Sequence, residues 1–518
     1  MEGTIFSIIP PLAMLILVLL TRKVLPSLGI GIIIGALFIH DFNILDTLKE
    51  IWFVFSEIFV ADGRIDVGNI LLLSFLLLLG VMTALLQASG GSQAFGEWML
   101  KRVKTRTGAQ LMTALLGLII FIDDYFNSLA VGQVARPLTD RHKISRAKLA
   151  YYIDSTSAPV TVISPISSWG AYIIGVLASI FAVNEITQIQ PLEAFIKMIP
   201  LNLYAFAALL LVFLVALGRL DIGPMKKHEE LALHKDKLLN DDKYVPGDLS
   251  DSLKSHSSGK VYHLLAPIMT LILMTVSTMV ITGWNASDNS KTILTIFANT
   301  DVNVSLFIGG LAAVIIGSIF HFRQGKPKEQ YLKILSEGLK TMMPAIYILL
   351  LAWMIGSIIG TLNTGEYLAG LVTSASISPS LLPLLFFLIA SIMSLATGTS
   401  WGTFGIMLPI AAEVSVISDM AMLLPTLAAV LAGSVFGDHC TPISDTTILS
   451  STGAGVNHID HVITQLPYAV ISAIAAGIGY LFIGLTHFYF LGLLITLGLI
   501  LGTGLITNFL TKTQYKEI

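Results

Sequence analysis

Two polar stretches, each broken by proline and set inside apolar sequence, constrain this chain more than any other feature. One is SAPVTVISPISSWGAY, Ser157 to Tyr172; the other is GDHCTPISDTTILSS, Gly437 to Ser451. Pro165-Ile166-Ser167 in the first corresponds to Pro442-Ile443-Ser444 in the second, 277 positions later. Around them the chain reads as a membrane protein: of 518 residues, 54% are hydrophobic and 12% charged, and the mean hydropathy is +0.81. A soluble domain carries about 25% charged residues. Backbone N–H and C=O groups freed by a helix break are tolerated at membrane depth only around a protein-lined or watery cavity. A break that occurs twice is therefore the expected place of function.

A span needs about 20 apolar residues. The candidates are 4–21, 26–40, 67–87, 198–219, 262–283, 302–320, 338–362, 464–486 and 488–508. Two longer stretches, 147–183 and 421–455, contain the breaks and read as helices interrupted mid-membrane. Regions 107–137 and 379–417 read as re-entrant hairpins, with apolar arms of roughly 13–18 residues, mostly short for a crossing. The expected fold class is an all-α polytopic membrane protein with about eleven transmembrane crossings plus the two hairpins. Loops rich in Lys and Arg are expected in the cytoplasm, and the poor ones at 41–66, 184–197, 284–301 and 363–378 outside. This places the N-terminus outside and the C-terminus inside a cell (inner) membrane. It also makes 107–137 enter and leave on one side, with Asp123-Asp124-Tyr125-Phe126-Asn127 at its tip; one long helix with a buried Asp pair is the alternative. The first span lacks a basic n-region and a small-residue cleavage site, so it reads as retained rather than as a signal peptide.

The two halves resemble each other. Aligning 76–91 with 348–366 puts Gly80 on Gly356 and Gln87 on Asn363, an offset of 276, which also puts Asp123 on Thr399 and Tyr125 on Trp401. The charge asymmetry makes the related segments run oppositely through the membrane, so the repeats are inverted. The expected organisation is N-terminal helices (1–66), a first repeat (67–220), a cytoplasmic, solvated linker (221–261), connecting helices (262–337), a second repeat (338–487) and a C-terminal helix and tail (488–518). Inverted repeats with broken helices place binding sites near the bilayer midplane.

Several function classes drop out. Cys440 is the only cysteine, which excludes an intramolecular disulfide and a cysteine-ligated cluster. There is no basic stripe for nucleic acid. Gly398–Gly405 contains no phosphate-loop pattern. Ser, His and Asp are present, but no nucleophile elbow, so an enzyme is not expected.

Four polar clusters converge under the repeat arrangement: the tips Asp123–Asn127 and Thr397–Thr403, and the breaks Ser164–Ser168 and Gly437–Thr447. A carboxylate at mid-bilayer costs a few kcal/mol, so its presence there needs an explanation. Sodium, a hard cation, wants carboxylate, hydroxyl, amide and carbonyl oxygens. Asp123, Asp124, Asn127, Asp438, Thr441, Ser444, Asp445, Thr446 and Thr447 are the candidates for binding it or carrying a proton. For any single aspartate the competing role is a helix cap. His439 is a candidate proton carrier or a backbone hydrogen-bond partner. Asp154 and Glu413 are weaker candidates that read as helix-end groups near water. Asn457-His458-Ile459-Asp460-His461 has the look of a zinc site but is expected beside water at a helix end, with no transition metal. Ser164, Ser167, Ser168, Trp169, Thr399, Ser400 and Trp401 are candidates for binding an organic solute, with packing as the alternative for the aromatics.

GDHCTPISDTTILSSTGAG is similar to the signature of the NhaC family of sodium/proton antiporters. FIDDYFNSLAVG, SRAKLAYYIDSTSAPV and SPISSWGAY resemble that family's first-repeat segments, so the resemblance covers roughly 65–490. It implies an ion-coupled transporter in the lipid bilayer with hairpins and broken helices, a homodimer, no cofactor, and transported Na+ and H+. Members of the family are assigned to sodium/proton exchange, malate–lactate exchange and amino-acid uptake. The expected function is sodium/proton antiport by alternating access. The alternative is coupled transport or exchange of an amino acid or small carboxylate.

Overall fold

The structure, a computed structural model, describes residues 1–21, 23–61, 63–121, 123–165, 167–218, 220–239, 259–287, 291–325, 328–364, 367, 370 and 378–514. In lipid a chain must satisfy its backbone internally, and an apolar chain does so as helix. The strand content among the described residues is one small ladder, Val60–Ala61 against Arg64–Ile65.

Helices α1 (Ile9–Thr21), α2 (Val24–Ile39), α3 (Ile44–Glu57), α4 (Val67–Ala88) and α5 (Gly91–Leu100) lead into a first polar assembly. That assembly comprises α6 (Arg106–Ile119), α7 (Asp124–Arg141), α8 (Arg146–Val162) and α9 (Ser168–Val183). Then come α10 (Pro191–Met198), α11 (Leu203–Gly218), α12 (Pro224–Lys235), α13 (Tyr262–Ala286), α14 (Ile293–Ala298), α15 (Val302–Arg323) and α16 (Lys328–Thr361). A second assembly follows: α17 (Leu382–Thr397), α18 (Ser400–Ser418), α19 (Leu423–Cys440) and α20 (Asp445–Ala454). The chain ends in α21 (His458–Thr486) and α22 (Tyr489–Gln514).

Eight helical segments among the described residues are long and apolar enough to cross a membrane, or nine if Pro191–Leu201 and Leu203–Gly218, bent by 47°, form one span. The chain is an all-α polytopic membrane protein. One expectation changes. Pro379–Thr397 and Ser400–Ser418, the arms read as mostly short, each have 19 residues and the composition of a span. A 3-10 turn at Pro379–Leu381 extends the first arm beyond its apolar run, and α18 continues past Glu413 to Ser418.

Arg106, Asp124, Arg146 and Ser168 open α6 to α9; Leu382, Ser400, Leu423 and Asp445, 276 or 277 positions later, open α17 to α20. The packing repeats as well. Helix α6 packs on α8 as α17 packs on α19, and α7 on α8 as α18 on α19. The two assemblies also interlock, α7 against α20 and α18 against α9. Glycines permit the approach. Gly132 of α7 faces the backbone of Gly453 in α20, and Gly433 and Gly437 of α19 face the α17 backbone at Phe387 and Ser391. A side chain at these positions would separate the helices that carry the polar residues.

The segment after α11 departs from the solvated linker expected at 221–261. Residues 240–258 lie outside the described residues, but 220–239 are docked on the bundle. Tyr468 of α21 donates its hydroxyl to the Leu220 carbonyl (2.8 Å) and accepts the Ile222 N–H (2.9 Å). Glu229 of α12, 2% exposed, accepts the Ser145 N–H at 2.8 Å and pairs with Lys148 at 3.3 Å and with Arg106. Lys148, fully buried, also binds Asp221 at 2.6 Å. Burial favours the uncharged form of Glu229, but the Lys148 and Arg106 charges and the Ser145 N–H outweigh it and hold the carboxyl below its ordinary range. Burial prevails at Asp221, whose carboxyl is pushed up despite Lys148. An apparently linker-like sequence docks because two of its acids, Asp221 and Glu229, meet Arg106 of α6 and Lys148 of α8.

Candidate functional site

The first tip is held by Asn127. Its Nδ2 donates to the carbonyls of Gly117 and Ile120, both at 2.7 Å, satisfying groups left open where α6 ends. Its Oδ1 is buried with no partner among the described residues. Asp123 and Asp124 beside it are buried at 2% and 1% exposure. Asp124 Oδ1 accepts the Trp169 indole N–H at 2.9 Å, and its Oδ2 has no partner among the described residues. The Asp124 carbonyl takes the Ser157 hydroxyl of α8 at 2.7 Å.

The second break, 441–444, is built by capping. Ser444 accepts the Thr447 N–H at 3.3 Å to start α20, and its hydroxyl meets that of Thr446 at 2.8 Å. Asp438, on the last turn of α19, is 1% exposed. Its Oδ2 accepts from Ser400 at the second tip (3.1 Å) and from Thr446 (3.4 Å); its Oδ1 has no partner among the described residues. The Thr441 hydroxyl is likewise buried and without a partner among the described residues. Asp445 opens α20, accepts the Thr446 N–H at 2.9 Å, and takes the hydroxyl of Tyr125 from the first tip. It faces a cavity of about 230 Å³ between Trp353 of α16, the tip at Thr397–Thr399, and Ile443. Asp123–Asn127 and Gly437–Thr447 thus meet through Tyr125 and Asp445.

The first break is arranged differently. Ser167 caps α9, accepting the Gly170 N–H at 2.9 Å, and its hydroxyl lies 2.8 Å from the carbonyls of Thr161 and Ser164. The Ser164 hydroxyl donates to the Val160 carbonyl at 2.8 Å. Two of the candidate solute-binding hydroxyls, Ser164 and Ser167, thus give their protons to backbone carbonyls. Ser168 opens α9; its side chain, like Ile166, lies outside the described residues. Trp169 is 1% exposed, meets Trp401 edge-on at 5.7 Å, and Trp401 lies 4.8 Å from Tyr172. These aromatics pack on one another across the halves. Thr399 precedes α18 without a capping bond, and Ser400 is spent on Asp438 and the Ser434 carbonyl.

The largest departure from the sequence reading is Asp154. Read as a helix-end group near water, it is fully buried in the middle of α8. Its Oδ2 accepts from Gln465 (2.6 Å), His461 (3.1 Å) and Thr447 (3.3 Å), and its Oδ1 from Ser450 (3.3 Å). His458 and His461, expected beside water, are 4% and 0% exposed. Gly455 explains this. Its left-handed φ of 65° ends α20 and turns the chain straight into α21, whose first turns pack inside the bundle. His458 then meets the Pro442 carbonyl at 2.6 Å and Ser451 at 3.2 Å, closing the break. Gln465 also donates to the His439 carbonyl at 3.1 Å. His439 Nδ1 meets the Tyr204 hydroxyl at 2.9 Å, and its Nε2 has no partner among the described residues. The spacing of His458, His461 and Gln465, one helix face without an apolar residue, is the signal that could have found this network. Glu413 is exposed on α18. Among the described residues no group of three or more His, Cys, Asp or Glu is placed to hold a metal.

The arrangement offers buried carboxylates with neutral donors on one oxygen and open valence on the other. Known proteins point the same way. The sequence profile of the Na+/H+ antiporter family matches residues 160–485. An uncharacterized protein of Haemophilus influenzae is 46% identical over 491 residues, covering 94% of this chain and 92% of that one. The malate-2H(+)/Na(+)-lactate antiporter of Bacillus subtilis is 33% identical over 187 residues, 35% of this chain and 38% of that protein. A Haemophilus influenzae protein described as an uncharacterized Na(+)/H(+) antiporter is 35% identical over 170 residues, 31% of this chain and 36% of that one. With a match extending over more than half its length, and through both breaks, the chain belongs to the Na+/H+ antiporter family.

Proposed function

We propose that this secondary transporter exchanges sodium for protons by alternating access, with Asp438 and Asp445 at the centre of the cation site. The observation that carries the reading is Asp438. It is 1% exposed, its Oδ2 is held by the hydroxyls of Ser400 and Thr446, and its Oδ1 is open. No base among the described residues is hydrogen-bonded to it. An isolated buried carboxylate is costly, so it is relieved by a cation or by a proton. One carboxylate that takes one or the other makes the two ions compete, and competition coupled to a conformational change is exchange. Asp445 with Tyr125, the Thr441 hydroxyl, and Asp124 with Asn127 Oδ1 extend the oxygen set. The paired element starts and interlocked packing of α6–α9 with α17–α20 support two inverted halves that rock about this site. The protein works in a cell membrane, N-terminus outside, as a homodimer.

The test is reconstitution in vesicles with an imposed sodium gradient and internal pH as the readout, no organic solute being present. Proton movement that Asp438→Asn and Asp445→Asn abolish is the expected result. Full sodium dependence in both variants refutes the site. Silence that ends when a carboxylate or amino acid is added favours the second reading, exchange of an organic solute. The cavity beside Asp445 is the observation that keeps that reading in play.

A further inference from the structure

The cavity beside Asp445, about 230 Å³, is far roomier than a bare monovalent ion needs and smaller than the about 300 Å³ at which drug-sized pockets begin. We propose that it binds a small primary amine in its ammonium form, a short carbon chain carrying one positive charge. The inference rests on the reading of Asp445 as a cation ligand and adds an organic class to it. Among the described residues Asp445 is the only ionisable side chain on the cavity wall. Its oxygens accept from the Thr446 N–H and the Tyr125 hydroxyl, both neutral donors, so its charge is unmatched while lone pairs remain. The buried Lys148 and the part-buried Arg106 are already paired with Asp221 and Glu229.

The rest of the wall suits such a ligand. Trp353 presents an indole, the aromatic that attracts ammonium best. Leu349 and Ile443 supply apolar surface for a carbon chain. Thr399 makes no capping bond, and Thr397 donates to the Met393 carbonyl at 3.0 Å, so both hydroxyls keep lone pairs for ammonium N–H groups. A carboxylate of the same size would meet Asp445 with no basic side chain on the wall to offset it. The first N–H groups of α18, next to Thr399, are the one feature that would draw an anion, and the matching anion is therefore the control.

The experiment uses the purified full chain in detergent without sodium. Unfolding midpoints are measured against n-butylammonium, n-butyrate and n-butanol, and sodium is then titrated against whichever ligand binds. Butylammonium is expected to raise Tm by about 2 °C or more near saturation, with sodium weakening its apparent Kd, while butyrate and butanol do nothing. Asp445→Asn should weaken butylammonium at least about tenfold. Because Asp445 also opens α20, Trp353→Leu, set against Trp353→Phe, gives an independent reading: Leu weakens binding and Phe retains most of it. Stabilisation by butyrate, no stabilisation by butylammonium, or unchanged butylammonium binding in both Asp445→Asn and Trp353→Leu overturns the proposal. Sodium-driven proton flux without amine binding overturns this inference alone; amine binding without flux overturns the antiporter reading alone.

Discussion

Lys148→Met is the sharpest probe of the folded bundle. Lys148 is fully buried, 2.6 Å from Asp221 and 3.3 Å from Glu229, and Glu229 is itself 2% exposed. Removing one member of a buried pair costs about 3–5 kcal/mol, because the partner's charge is left without compensation. Glu229 keeps Arg106 and Asp221 is 16% exposed at its side chain, so the lower end, about 3 kcal/mol, applies. At about 2.1 cal/mol/K per residue, 518 residues unfold with an entropy of about 1.1 kcal/mol/K, and Tm should fall by about 3 °C. The pH dependence gives a second check. In the wild type the depressed Glu229 contributes stability that is present above its unfolded pKa of about 4.3 and is lost as pH falls through its lower folded value. The raised Asp221 works the other way, its contribution declining as pH rises from about 3.9 to its folded value. Without Lys148 both carboxyls titrate higher, so the variant's deficit should be larger at pH 7.5 than at pH 5. Adding Glu229→Gln should recover part of the loss, leaving Asp221 to reach water. Thermal unfolding in detergent at the two pH values measures all three. An unchanged Tm for Lys148→Met at pH 7.5, or a larger deficit at pH 5, refutes the buried cluster.

Two further substitutions test the site. Gly398 has φ of 74°, and a Cβ there would stand 2.6 Å from Ile443 Cγ1 and 2.9 Å from its carbonyl oxygen. Gly398→Ala should therefore cost more than the about 1–2 kcal/mol of the left-handed backbone alone, and lower both Tm and sodium-driven flux by moving the tip off the break. Asp154→Asn places an NH2 group among hydroxyl, imidazole and amide donors that all address a carboxylate. It should destabilise by about 2–3 kcal/mol in thermal unfolding, while Glu413→Gln on the exposed face of α18 leaves Tm within about 1 °C.

Much of the fold was legible because membrane helices are specified locally. Hydropathy marks them, Gly398 and Gly455 end two of them, and Ser444 and Ser167 cap the helices that follow the breaks as polar residues at breaks do. The correspondence between the halves was legible for the same reason: Asp124 and Ser400, Arg146 and Leu423, Ser168 and Asp445 are helix starts in one register. Local rules misjudged residues whose surroundings come from elsewhere. Glu229 and Asp221 look like solvated linker charges until α6 and α8 bring Arg106 and Lys148 to them. His458 and His461 look like a wet helix end until Gly455 turns α21 inward.

The sequence alone determined that this is an all-helical membrane protein whose polar residues gather at two related breaks, because a continuous apolar run of about 20 residues satisfies its backbone in lipid as a helix, whereas a barrel strand alternates. It also determined which oxygens are available. Only the tertiary structure decided how they are used. It set Tyr125 on Asp445 across 320 positions, and gathered Asp154, Thr447, His461 and Gln465 from three helices. It also spent Ser164 and Ser167 on backbone while leaving one oxygen of Asp438 open. A carboxylate's role is set by the donors around it, and those donors arrive by the packing of one half of the chain against the other.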